Sequence, residues 1–81
     1  MYTYKTHGTC SQAIEVEMDG DIIRSVKFIG GCAGNTQGVA RLAAGRKIDE
    51  VIDLVKGIQC RNGTSCPDQL ARALEEIRAG A

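Results

Sequence analysis

The sequence has no tryptophan and only three aromatic side chains, Tyr2, Tyr4 and Phe28. Its core therefore has to be assembled from Ile, Val, Leu and Ala. In a chain of 81 residues a single core barely suffices, and chains of this size often carry a staple, which is a disulfide, a metal or a partner. One domain spanning 1–81 is expected. Net charge is absent too, because ten basic and ten acidic side chains cancel. That argues against a non-specific nucleic-acid binder, which needs a basic face, and against a polybasic membrane anchor, while local clusters of charge stay open. No apolar run approaches the roughly 18 residues that a bilayer-spanning helix needs. The N-terminal stretch from Met1 to His7 lacks the hydrophobic region of a secretory signal. A cytoplasmic protein is expected. With one histidine and no nucleophile motif, a Ser-His-Asp hydrolase is excluded as well.

What the chain does have is four cysteines, Cys10, Cys32, Cys60 and Cys66. Cytosolic thiols are kept reduced, so this number in a small chain points to metal or redox chemistry rather than to static disulfides. The spacing contains no C-x-x-C pair and matches no zinc-finger pattern.

The apolar pattern places these cysteines among the elements. Residues 2–7 fit a short strand, with Tyr2 and Tyr4 alternating against Thr3 and Lys5. The segment from Gly8 to Ser11 reads as a turn. Ile14, Val16 and Met18 then alternate with Glu15 and Glu17, the period of a half-buried strand. Asp19-Gly20-Asp21 is a hairpin turn, and Ile22 to Ile29 is the returning strand, with Val26 and Phe28 on one side and Ser25 and Lys27 on the other. Gly30-Gly31-Cys32-Ala33-Gly34-Asn35 breaks the pattern. Asn35 is a candidate cap for a helix through Val39 and Leu42 that ends at Gly45. This loop lacks the Gly-Lys-Ser/Thr ending of a phosphate-binding loop. Residues 47–56 form a second helix with Ile48, Val51, Ile52 and Val55 on one stripe. Leu70, Ala73, Leu74 and Ile77 make the stripe of a third, with Arg72 and Glu76 as an exposed pair four residues apart. The expected fold class is α+β: a small antiparallel meander of two or three strands, followed by three helices packed on one face.

The densest stretch is Ile58-Gln59-Cys60-Arg61-Asn62-Gly63-Thr64-Ser65-Cys66-Pro67-Asp68, which also holds the only proline. Ser65 can cap the third helix, Pro67 can take its first position, and Asp68 follows in the first turn. Cys66 then sits at a helix N-terminus, where the dipole and free N–H groups favour a thiolate. All four cysteines fall at element ends and none on an apolar stripe, where filler cysteines belong. This is the reason to expect that they meet in space.

The motif Thr64-Ser65-Cys66-Pro67-Asp68 resembles the TSCPD-domain family. Gly57-Ile58-Gln59-Cys60 upstream, Gln69-Leu70-Ala71 downstream and Gly30-Gly31-Cys32-Ala33-Gly34-Asn35 fit as well. The chain looks like the small stand-alone branch with four cysteines. Related domains lie at the C-terminus of adenosylcobalamin-dependent ribonucleotide reductases, so the resemblance implies a setting of deoxynucleotide and DNA synthesis, a reductase as partner, and kinship with the label ribonucleoside-diphosphate reductase. It does not imply catalysis by this chain alone, since 81 residues cannot supply the radical barrel or a nucleotide pocket. The order of elements is also similar to IscU/NifU-type iron–sulfur scaffolds, with Cys10, Cys32 and Cys66 matching the scaffold cysteines and Gly45-Arg46-Lys47-Ile48-Asp49-Glu50 the connector between helices. The scaffold's aspartate near the first cysteine has no counterpart in Cys10-Ser11-Gln12, and Cys60 is extra.

Three functions remain open at this point. Cys10, Cys32, Cys60 and Cys66 can bind one Zn²⁺ tetrahedrally, with Fe or an Fe–S cluster using the same ligands. Alternatively Cys60 and Cys66 cycle between dithiol and disulfide in thiol-redox or sulfur-handling work. In the third, the metal only staples an interaction module whose partner face holds Arg24, Lys27, Arg41, Arg46, Lys47 and Arg61. His7 is a ligand if Cys60 is not, or else an exposed strand-end histidine. Asp68 is a general base beside Cys66, or else a helix-capping carboxylate.

Overall fold

A computed structural model describes residues 2–6, 8–9, 11–30, 33–58 and 65–80, with backbone alone for 33–35. Three strands come first: β1 (Tyr2–Lys5), β2 (Ser11–Asp19) and β3 (Ile22–Gly30). They form one antiparallel sheet in the order β1-β2-β3, with Tyr4 opposite Ile14 and Ile14 opposite Phe28. Three helices follow: α1 (Ala33–Ala43), α2 (Ile48–Val55) and α3 (Cys66–Arg78). The chain thus adopts the expected α+β order, strands before helices.

One face of the sheet is apolar and the helices cover it. Ile14 and Val16 of β2 and Ile23 of β3 are buried with Ala43, Ile48, Val51, Ile52, Leu70 and Leu74 in one cluster, and Met18, Val26 and Phe28 pack against it. Among the described residues the fully buried side chains are all aliphatic, in keeping with a chain poor in aromatics. The opposite face carries Thr3, Glu15 and Lys27 side by side across the three strands. α1 packs on β3, while α3 packs on both α2 and β2. Tyr2 donates its hydroxyl to Glu76, tying β1 to α3. The accepting carboxylate is also the chief reason that the Tyr2 phenol lies above its ordinary pKa. Arg78–Asp49 and Lys56–Glu75, both at 2.7 Å, join α2 to α3 at the surface.

Two irregularities change which side chains face inward. Glu17 pairs with Ser25 but Met18 pairs with Ile23, so Arg24 is an extra residue in β3. This brings Ile23, odd-numbered, onto the face of Val26 and Phe28, where it is fully buried. Likewise Ser11 pairs with Gly30 but Ala13 pairs with Ile29, leaving Gln12 extra in β2. Ser11 is buried as a result and Gln12 is exposed.

The helices differ from the sequence reading in three respects. α1 begins at Ala33, so Asn35 lies inside the first turn rather than capping it. Glycine and asparagine are tolerated there because the first-turn N–H groups have no intrahelical partner in any case. Leu42, expected on the buried stripe of α1, is 68 % exposed. Arg72 pairs with Asp68 rather than with Glu76, and Glu76 accepts from Tyr2.

Between α1 and α2 the chain runs antiparallel to the start of β3. Gly45 donates to the Ile23 carbonyl at 2.7 Å, Ile23 donates to Arg46 at 2.9 Å and Ile48 donates to Asp21 at 2.9 Å. Gly45 has φ +86, and a Cβ there would meet no atom within 4 Å. Gly45→Ala therefore costs only the backbone term, about 1 kcal/mol. A small drop in the urea midpoint is expected, and a variant as stable as the parent would contradict the assignment.

Candidate functional site

The site is built around the start of α3. Ser65 caps the helix: its hydroxyl accepts from the Asp68 N–H at 3.1 Å and donates to the Ile58 carbonyl at 2.6 Å. Pro67 follows in the first turn, in the second helical position rather than the first. Cys66 is the first helical residue, a free thiol only 6 % exposed.

Buried polar side chains occur on Cys66's own helix start and on the segment of Ser11 that meets it. Thr6, Ser11, Ser65, Asp68 and Gln69 are all buried. The Ser11 Oγ lies 3.2 Å from the Cys66 Sγ. Ser11 is itself held from two sides. Thr6 donates its hydroxyl to the Ser11 carbonyl at 2.6 Å, and the Thr9 hydroxyl lies 3.1 Å from the Ser11 Oγ. Among the described residues no buried side-chain N or O lacks a partner.

Asp68 works across elements. Its Oδ1 accepts from the Gly57 N–H at 2.7 Å and its Oδ2 from the Arg72 Nε at 3.1 Å. Gly57 has φ +85, a backbone that turns the chain off the end of α2, and its N–H meets Asp68 there. Asp68 thereby fastens the segment leaving α2, with both oxygens engaged. Asp68 is thus the first-turn acid of α3 that the sequence leads one to expect, and in addition a tie to another segment.

Of the proposed ligands, Cys66 is placed as described. Cys10, Cys32 and Cys60 lie outside the described residues, as do His7 and Arg61. Among the described residues, no group of three or more His, Cys, Asp or Glu side chains is arranged to hold a metal. Described residues one or two positions from each of the three lie in one hydrogen-bonded cluster. Ser11, next to Cys10, touches Cys66. Gly30, two residues before Cys32, pairs with Ser11. Ile58, two residues before Cys60, accepts from Ser65, next to Cys66. Of the basic side chains offered as a partner face, Arg24, Lys27, Arg41, Arg46 and Lys47 are exposed, and Arg46 is paired with Glu50.

Sequence reasoning does not find two features of this site. By sequence Ser11 reads as part of a turn, and only the extra residue at Gln12 aims it inward. The tie from Asp68 to Gly57 joins positions eleven apart and leaves no local signature. Elsewhere, a groove of about 170 Å³ between α1 and α2 is lined by Val39, Leu42, Val51 and Leu54 and contains no cysteine. No described helix is long and apolar enough to cross a membrane.

Comparison with known proteins adds one finding. No curated protein and no solved structure matches the chain. A protein-family model, the TSCPD domain, matches residues 2–78. With nearly its whole length matched, this chain belongs to the TSCPD domain family.

Proposed function

We propose that the chain is a small metal-binding domain in which Cys10, Cys32, Cys60 and Cys66 hold one Zn²⁺, and that it serves as an accessory module to a ribonucleotide reductase. The observation that carries the metal reading is the 3.2 Å contact between Ser11 and Cys66. It brings the start of β2 to the start of α3, positions 55 apart in sequence. Consecutive Cα atoms are about 3.8 Å apart, so one or two peptide units separate each of the other cysteines from a residue in this cluster. Four thiolates suit a closed tetrahedral zinc site. When bound, the metal would supply folding free energy, on the order of 10 kcal/mol in small zinc domains, which suits a thin aliphatic core. The residues around Cys66 fit this role: a buried sulfur, a hydroxyl on it, and backbone segments fastened by Ser65 and Asp68. The reductase setting and a cytoplasmic location rest on the family resemblance and the sequence.

The alternative, a Cys60/Cys66 redox pair, asks Cys66 to attack an outside disulfide. A cysteine 6 % exposed is poorly placed for that.

The test is metal content of the chain purified without oxygen, with thiols titrated before and after chelation. About one zinc per chain is expected, with four thiols reacting only after the chelator. Iron with visible absorbance would move the reading to an Fe or Fe–S site on the same ligands. No metal, with two thiols missing until reductant is added, would overturn it in favour of the redox pair.

A further inference from the structure

We infer that Ser11 is a positioning residue for the metal site, donating its hydroxyl hydrogen bond to the sulfur of Cys66. The inference rests on the metal reading above and adds to it the residue that aims and tunes one ligand. A metal-bound cysteine sulfur has no proton to give, so in the 3.2 Å contact the Ser11 O–H must be the donor. The Thr9 hydroxyl, 3.1 Å from the Ser11 Oγ and 3.4 Å from the Ser11 carbonyl, is then the donor to these two oxygens, and the nearer one continues to sulfur. Such bonds fix the orientation of a ligand and adjust the electron density that it gives the metal.

The backbone is shaped to make this contact. In a regular strand Gln12 would share the inner face with Ile14 and Val16, and Ser11 would point outward. The extra residue at Gln12 reverses that, leaving Ser11 4 % exposed. The Thr6 hydroxyl on the Ser11 carbonyl, and the Thr6 N–H on the Gln12 carbonyl at 3.2 Å, hold the irregular segment in place. Bulges that re-aim a side chain are frequent beside functional sites. No such arrangement is needed for packing alone, which an apolar residue would serve.

The test uses the full chain with Co²⁺ and Zn²⁺ as probes and compares the parent with Ser11→Ala and Ser11→Thr. Ser11→Ala is expected to bind Zn²⁺ at least tenfold more weakly. Its thiolate-to-cobalt charge-transfer band should move to lower energy, because the sulfur lone pairs lose a donor. Ser11→Thr keeps the hydroxyl and restores the band. A merely structural role would weaken binding without moving the band. If Ser11→Ala does not fold, Thr9→Val is expected to shift the band the same way by a smaller amount. An unmoved band in the variant that folds overturns the inference while leaving the metal reading intact. A parent chain that takes up neither metal overturns both.

Discussion

Leu74→Ala is expected to destabilise the protein by about 3 kcal/mol. Leu74 is fully buried and shares the central cluster with Ile14, Val16, Ile23, Val51, Ile52 and Leu70. Truncation removes apolar burial and leaves a cavity. The walls of that cavity include several Ile and Val side chains, which are stiff at χ1, and no large ring lies among the cluster's buried members to swing in. Collapse around the gap is therefore poor. Chains of this length have total stabilities of roughly 4–12 kcal/mol, so the loss is a large fraction of the whole. Urea unfolding checks it: the midpoint should fall by a quarter or more, with the slope unchanged. Leu42→Ala, at a position 68 % exposed, should barely move the same midpoint. Equal effects at the two leucines would mean that the core is not where the structure puts it.

The second large effect falls on Asp68. Asp68→Ala removes the acceptor of the Gly57 N–H and leaves that group, part-buried at the end of α2, without its charged partner. Loss of a hydrogen bond to a charged group, together with stranding its donor, costs about 2–3 kcal/mol. Asp68→Asn keeps an oxygen for Gly57 and gives up mainly the pairing with Arg72. Because the Arg72 side chain is 55 % exposed, that pairing contributes little, roughly 0.2–1 kcal/mol. The expected order of stability is parent, Asn, then Ala, with the larger step to Ala. Denaturation of the two variants decides it, and an Asn variant as unstable as Ala would shift the weight from the Gly57 tie to the charge.

These two residues also show which features can be read along a sequence. Leu74 belongs to a stripe of period 3.6, and the stripe alone places it inside. β2 and β3 are equally legible through the alternation of Ile14, Val16 and Met18 and the Gly20–Asp21 turn. Ser65 as the cap of α3 follows from a hydroxyl residue ahead of a proline and an acid. The alternation fails at Ser11 and Ile23, because one inserted residue inverts the face and no local pattern announces it. The exposed Leu42 depends on which helix neighbours which, and Arg72 has an acid four residues away on either side, so local spacing alone does not choose between Asp68 and Glu76. Of the candidate site, the position of Cys66 at a helix start was legible, and its hydroxyl neighbour was not.

The connector between α1 and α2 has a consequence for how the chain keeps to itself. An open sheet edge is a template for pairing with other molecules. The β1 edge is only four residues long and ends in Lys5. The β3 edge, nine residues long, is occupied at its start by the antiparallel run of residues 45–48. During synthesis the N-terminal part of a chain is available first. The β2–β3 hairpin can thus form while its outer edge is still bare, and it stays bare until the segment after α1 arrives. That segment is encoded only some twenty residues downstream, so the guard against edge-to-edge aggregation arrives soon after the edge it covers.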